Sequence, residues 1–109
     1  MPSVDMILNS LSVLNLGYKF GVAGSYARGT ANKKSDIDIV VDTDILDLID
    51  IELIKKTLLK KFGKKSDVIC LKLLEQEDKE LDELAISVGL TPNDESAFKS
   101  IIKEVIWFD

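Results

Sequence analysis

The sequence contains no histidine. Serine and cysteine triads that use an imidazole base are therefore excluded, as is any zinc site with a histidine ligand. A single cysteine, Cys70, has no partner for an intrachain disulfide, which fits a reducing cytoplasm. No run reaches the ~18 apolar residues of a membrane-spanning helix. The first residues also lack the pattern of a secretion signal. A cytoplasmic chain with no membrane partner is the expectation. Positive charge is in short supply, with 14 basic against 19 acidic residues and a net charge of −5. That argues against the broad basic footprint of a general nucleic-acid binder.

What is present suits one globule. Apolar residues make up 46% of the 109, enough for one modest core. No internal repeat, linker or low-complexity segment interrupts the chain, so residues 1–109 read as a single domain. Strands separated by helices argue for the α/β class, with a short mixed sheet of 3–4 strands packed with helices.

The most informative stretch runs from Gly24 to Asp42. Gly24-Ser25 ends one apolar run, ten residues follow, and Asp36-Ile37-Asp38 opens another. Ile37, Ile39 and Val41 alternate with Asp36, Asp38, Val40 and Asp42, the period of a half-buried strand. In a strand, residues i and i+2 share a face. Asp36 and Asp38 then stand side by side, with Cα atoms about 6.5–7 Å apart. Two parallel carboxylates repel unless a cation lies between them. Hard oxygens at this spacing suit Mg2+ held together with substrate phosphates. A solvated strand face is the alternative, although aspartate is depleted in strands.

Lys19-Phe20-Gly21-Val22-Ala23 reads as a short strand that stops at Gly24. Glycine permits a tight turn and close approach to a ligand. Ser25 is placed to cap a short helix through Ala27-Arg28, with Gly29 ending it. The free N–H groups of such a turn favour phosphate, and Arg28 and Lys33-Lys34 add positive charge nearby.

The rest of the chain reads as scaffold. Ser3 caps a first helix whose stripe is Val4, Ile7, Leu8, Leu11 and Leu14, with Gly17 after it. Asp44, with Asp47 three residues on, resembles a capping box for a second long helix. Its buried face is Leu48, Ile51, Ile54, Leu58 and Phe62, and Gly63 closes it. A strand beginning at Asp67 runs to about Leu73. An acidic helix start at 75–80 follows, then a stripe of Leu81, Leu84, Ala85 and Val88 ended by Gly89. Thr91-Pro92 marks a new helix start, with Phe98, Ile101, Ile102 and Val105 as its apolar stripe. Ile106-Trp107-Phe108 suits an edge strand or a docking patch.

Gly24-Ser25, ten residues, then Asp36-Ile37-Asp38 is similar to the signature of the DNA polymerase beta-like nucleotidyltransferase superfamily. The fuller string Gly-Ser-Tyr-Ala-Arg-Gly…Ser-Asp-Ile-Asp resembles the minimal nucleotidyltransferase (MNT) antitoxins, encoded beside a HEPN-domain partner. The resemblance implies the small polymerase beta-like fold. It also implies a third carboxylate from a later strand, and Asp67 stands at the matching place. By this likeness Gly24 and Ser25 bind a triphosphate, while Asp36, Asp38 and Asp67 are catalytic and hold two Mg2+ ions. Asp67 doubles as general base, and Arg28 is a further nucleotide-binding residue. The implied reaction moves AMP from ATP to a tyrosine hydroxyl of a HEPN ribonuclease toxin, in a hetero-oligomer with it. The chain spends nearly all its length on this core, which also motivates an acceptor supplied by a partner. Two alternatives remain at this point: an antitoxin that neutralises by binding alone, and a nucleotidyltransferase for small molecules such as aminoglycosides.

Overall fold

A computed structural model describes residues 1–92 and 96–108. Among these, the elements run α1 (Val4–Ser12), β1 (Lys19–Ala23), α2 (Gly24–Arg28), β2 (Ile37–Asp42), α3 (Leu48–Phe62), β3 (Ser66–Cys70), α4 (Leu71–Ser87), α5 (Ala97–Glu104) and β4 (Ile106–Trp107). The strands form one mixed sheet in the order β3-β2-β1-β4. β1 is antiparallel to β2 and β4, whereas β2 and β3 are parallel. The α/β class and the short mixed sheet match the sequence expectation.

β2 is the central strand, and its alternation sorts side chains to two sides. Ile37, Ile39 and Val41 meet Ile7, Leu8 and Leu11 of α1 and Ile54 and Leu58 of α3. Val40 lies on the other side with Ala23 and Leu71, covered by Phe98, Ile101 and Val105. Both sides of β2 are therefore buried, which explains its nearly unbroken Ile-Val run. Asp38 shares the Val40 side by the i, i+2 rule but sits near the strand's start, where the helices leave it half-open.

Local signals set most element ends. The Ser3 hydroxyl accepts from the Met6 N–H at 3.2 Å and caps α1 as expected. α1 stops at Ser12, and Leu14 reaches the core from the turn that follows, where Asn15 has φ 53°. α3 is capped by Asp47, not Asp44: the Asp47 carboxylate accepts from Ile49 N–H at 2.8 Å. Starting there, the helix turns Leu48 to solvent, and Ile54 and Leu58 form the buried face. Gly63 ends it in the left-handed conformation.

Three further expectations change. β3 ends at Cys70 instead of Leu73: its last ladder pair is Val41 opposite Cys70, and α4 begins at Leu71. α4 follows without a loop, and its stripe of Leu81, Leu84 and Val88 faces solvent instead of the core. α5 starts at Ser96, whose hydroxyl accepts from Lys99 N–H at 3.2 Å, not at Thr91-Pro92. Residues 93–95 of that expected helix lie outside the described residues. Ile102 also turns outward, while Phe98, Ile101 and Val105 pack inward.

β4 is the edge strand expected from Ile106-Trp107. Its approach requires a glycine opposite, since a Cβ on Gly21 would lie 2.7 Å from the Ile106 carbonyl oxygen. Phe108 stacks on Phe20 at 5.3 Å between ring centroids, so the aromatic end of the chain is engaged within the fold.

Candidate active site

The turn from β1 into α2 brings the two halves of the Gly24–Asp42 stretch together. β1 and β2 pair with Ala23 opposite Asp38, so the chain leaves β1 directly beside that carboxylate. Gly24 then adopts φ +69°, and a Cβ there would lie 2.1 Å from Asp38 Oδ2. A side chain there would push the Asp38 carboxylate aside and strain the backbone at positive φ. α2 begins at Gly24 with Ala23 in the cap position, so Ser25 is inside the helix and is not its cap. Gly29, at φ +77°, ends the helix as expected.

Asp67 stands opposite Asp38 in the parallel β2–β3 register. In-register neighbours share a face on strands about 4.8 Å apart, so these two carboxylates rise from the same side of the sheet. Asp36 immediately precedes β2 and is exposed. The structure thus gathers Asp36, Asp38 and Asp67 at one corner of the sheet, against the Gly24 turn. They do not form a closed coordination shell: among the described residues, no three acidic or cysteine side chains are placed to hold a metal ion.

Asp38 records that crowding. Its pKa lies above the ordinary carboxylate value, first through burial, then through the charges of Asp67, Asp36 and Glu104, with Arg28 opposing. Glu104 escaped the sequence analysis. Its carboxylate accepts from the Gly24 N–H at 2.9 Å and from Arg28 at 2.8 Å. Arg28, expected to face a nucleotide, is instead paired with this carboxylate while remaining half-exposed. No local signal marks Glu104. It ends α5, 80 residues beyond Gly24, and the packing of α5 against the sheet and the β4–β1 pairing carry it there.

Two polar atoms beside the corner have no partner among the described residues. The Tyr26 hydroxyl and Ser66 Oγ are both buried and unbonded. Burial, followed by the charge of Asp36, raises the Tyr26 pKa. Ser66 also lines a depression of about 340 Å3 with Asp36, Lys55, Leu59, Lys65 and Asp67. The carboxylates therefore have the Gly24 turn on one side and an open hollow on the other.

The arrangement brings acidic oxygens and hydrogen-bond donors to the same corner. Asp36, Asp38 and Asp67 supply hard oxygens, while Arg28 and the turn supply donors. Among the described residues, no helix is long and apolar enough to cross a membrane.

The sequence matches the nucleotidyltransferase domain family over residues 4–105. No curated protein matches it. Among solved structures, it is similar to a chain in a crystal structure of a toxin-antitoxin with AMP-PNP. The two are 26% identical with a TM-score of 0.51, and the match covers 67% of this chain and 65% of that one. The likeness thus extends over less than two thirds of that chain's own length.

Proposed function

As the chain belongs to the nucleotidyltransferase domain family, we propose that it moves AMP from ATP to a tyrosine hydroxyl of a partner HEPN ribonuclease toxin, and so acts as an antitoxin. One observation carries the reading. Gly24 lies against Asp38, and Asp38 lies opposite Asp67, so a phosphate-type turn and paired carboxylates share one corner. The similar toxin-antitoxin chain, in a crystal structure with AMP-PNP, supports both the donor class and the partner class.

In this reading the α2 turn receives the triphosphate. Ser25 and the backbone N–H groups after it bind the β- and γ-phosphates, and Arg28 exchanges Glu104 for phosphate oxygen. The acceptor hydroxyl enters from the hollow beside Asp67. Its oxygen bonds to the α-phosphorus as the α–β bridging bond breaks, pyrophosphate leaves, and Asp67 takes the proton. The donor set suits Mg2+ in its hard oxygens, since burial and then the neighbouring carboxylates raise the Asp38 pKa and a divalent cation would offset the repulsion among those carboxylates. Asp36, Asp38 and Asp67 would hold two such ions, which neutralise the triphosphate and acidify the acceptor hydroxyl when bound.

The test combines this chain, the neighbour-encoded HEPN protein, ATP and Mg2+. Intact-mass spectrometry should find adenylate added to the partner. Asp36→Asn or Asp38→Asn should lower transfer by at least about 100-fold with the fold intact. No added mass with any of several divalent metals overturns the proposal.

Glu104 favours a second reading. It already occupies the Gly24 N–H and Arg28, as suits an antitoxin that acts by binding alone. Full neutralisation of the toxin by an Asp36→Asn/Asp38→Asn double variant would select that reading.

A further inference from the structure

The C-terminal half of α4 turns its apolar stripe to solvent. The buried side of the helix carries Asp78, only 8% exposed, which together with Asp82 faces Lys99 of α5 at 3.9 and 3.3 Å. Leu71 at the start of α4 is buried in the core, but toward the C-terminal end Leu81, Leu84 and Val88 are 64%, 60% and 62% exposed. These residues recur at i, i+3 and i+7, so they form one stripe that runs along the end of the helix to its C-cap, Val88. A buried aspartate with a solvent-facing leucine stripe reverses the usual partition, and such exposed patches mark interaction sites.

Charge identifies the kind of occupant. Between Glu75 and Leu84 six carboxylates stand against one lysine, a local charge equal to the −5 of the whole chain. Glu77 and Glu80 line a shallow groove of about 410 Å3 together with Leu81 and Leu84. A second copy would bring the same carboxylates face to face, and like charges across an interface are costly. An anionic lipid surface would repel them as well. An apolar partner surface flanked by lysine or arginine matches both the stripe and its rim.

We propose that the Leu81–Leu84–Val88 face of α4 docks the toxin partner, whose matching surface carries an apolar stripe bordered by basic residues. This rests on the partner reading above and adds where the partner binds. It also separates docking from chemistry, because the carboxylate corner lies at the Gly24 turn and the stripe on the outer side of α4.

The experiment uses the full chain and the purified neighbour-encoded HEPN protein, with affinity and association rate measured at two salt concentrations. The wild-type chain should bind. L81E/L84E should bind more than about tenfold more weakly with an unchanged melting temperature. E77K/E80K, which leaves the leucines in place, should slow association and remove most of its salt dependence. Wild-type affinity in L81E/L84E would move the toxin to another surface and overturn the assignment, with the partner reading intact. No binding by the wild-type chain would overturn the partner reading and this surface with it. Dimerisation of the chain alone, abolished by L84E, would give the face to a second copy and overturn the proposal too.

Discussion

The Glu104 carboxylate bridges the Gly24 N–H and the Arg28 guanidinium, at 2.9 and 2.8 Å. A phosphate oxygen bound at this turn would make the same two contacts. Glu104 would therefore compete with an anion at the corner, and it adds a negative charge beside Asp38. Glu104→Gln retains the shape and an accepting oxygen but removes the charge. It should tighten binding of ATP or tripolyphosphate about two- to fivefold, the scale of a partly exposed ion pair. Calorimetric titration measures this, and weaker binding in the variant would instead make Glu104 a support for the turn.

Asp38 links stability to pH. Its folded pKa is raised, so its protonated form favours the fold. That contribution is complete below the unfolded pKa of about 4 and is lost as pH rises through the higher folded value. In EDTA, the wild-type melting temperature should therefore fall relative to Asp38→Asn as pH increases from about 4 toward neutrality. Asp38→Asn should be the more stable chain at pH 7, while transfer is lost. Mg2+ should raise the melting temperature of the wild type and not of the variant. Equal melting temperatures in EDTA at pH 7 would contradict the cost of holding a charged Asp38 in this half-buried, acidic corner.

Gly24→Ala tests the contact between turn and carboxylate. The new methyl would meet Asp38 Oδ2 and the backbone would keep a positive φ. Loss of about 1–3 kcal/mol in urea unfolding is expected, together with loss of transfer as Asp38 is displaced. Gly17→Ala is the control. Its φ is also positive, at +82°, but nothing lies within 4 Å of the added Cβ. It should cost about 1–2 kcal/mol and leave transfer unchanged.

Leu58 and Leu84 separate core from surface. Leu58 is fully buried between α3 and the sheet, whereas Leu84 faces solvent. Leu58→Ala should destabilise by about 2–5 kcal/mol. Leu84→Ala should stay within about 0.5 kcal/mol of wild type. Chemical denaturation of the isolated chain distinguishes the two, and a large loss at Leu84 would place it in a core.

Much of this molecule is written in short-range pattern. The alternation of Ile37, Ile39 and Val41 specifies a strand and sets Asp36 and Asp38 on its other side, because a pleated backbone turns successive residues to opposite faces. Gly24 and Gly29 bracket α2 because few other residues tolerate a positive φ. Asp67 was legible as the start of a strand. Its place opposite Asp38 was a matter of register, which depends on how two separate strands pair.

Other features needed the assembled fold. The stripe at Leu81, Leu84 and Val88 has the spacing of a core helix, and spacing says which side chains share a face, not what that face meets. Asp78 and Asp82 met Lys99 instead, which left the leucines outside. Asp47 prevailed over Asp44 as the α3 cap through one hydrogen bond to Ile49. Glu104 has no marker in its own neighbourhood, since it reaches Gly24 when α5 packs on the sheet and β4 closes on β1 across the bare Cα of Gly21. By itself the sequence determined the turn, the strand and the carboxylates, because their geometry depends on neighbours a few residues apart. Tertiary packing alone decided which charges meet at the corner and which apolar face is left uncovered, because those contacts join residues distant along the chain.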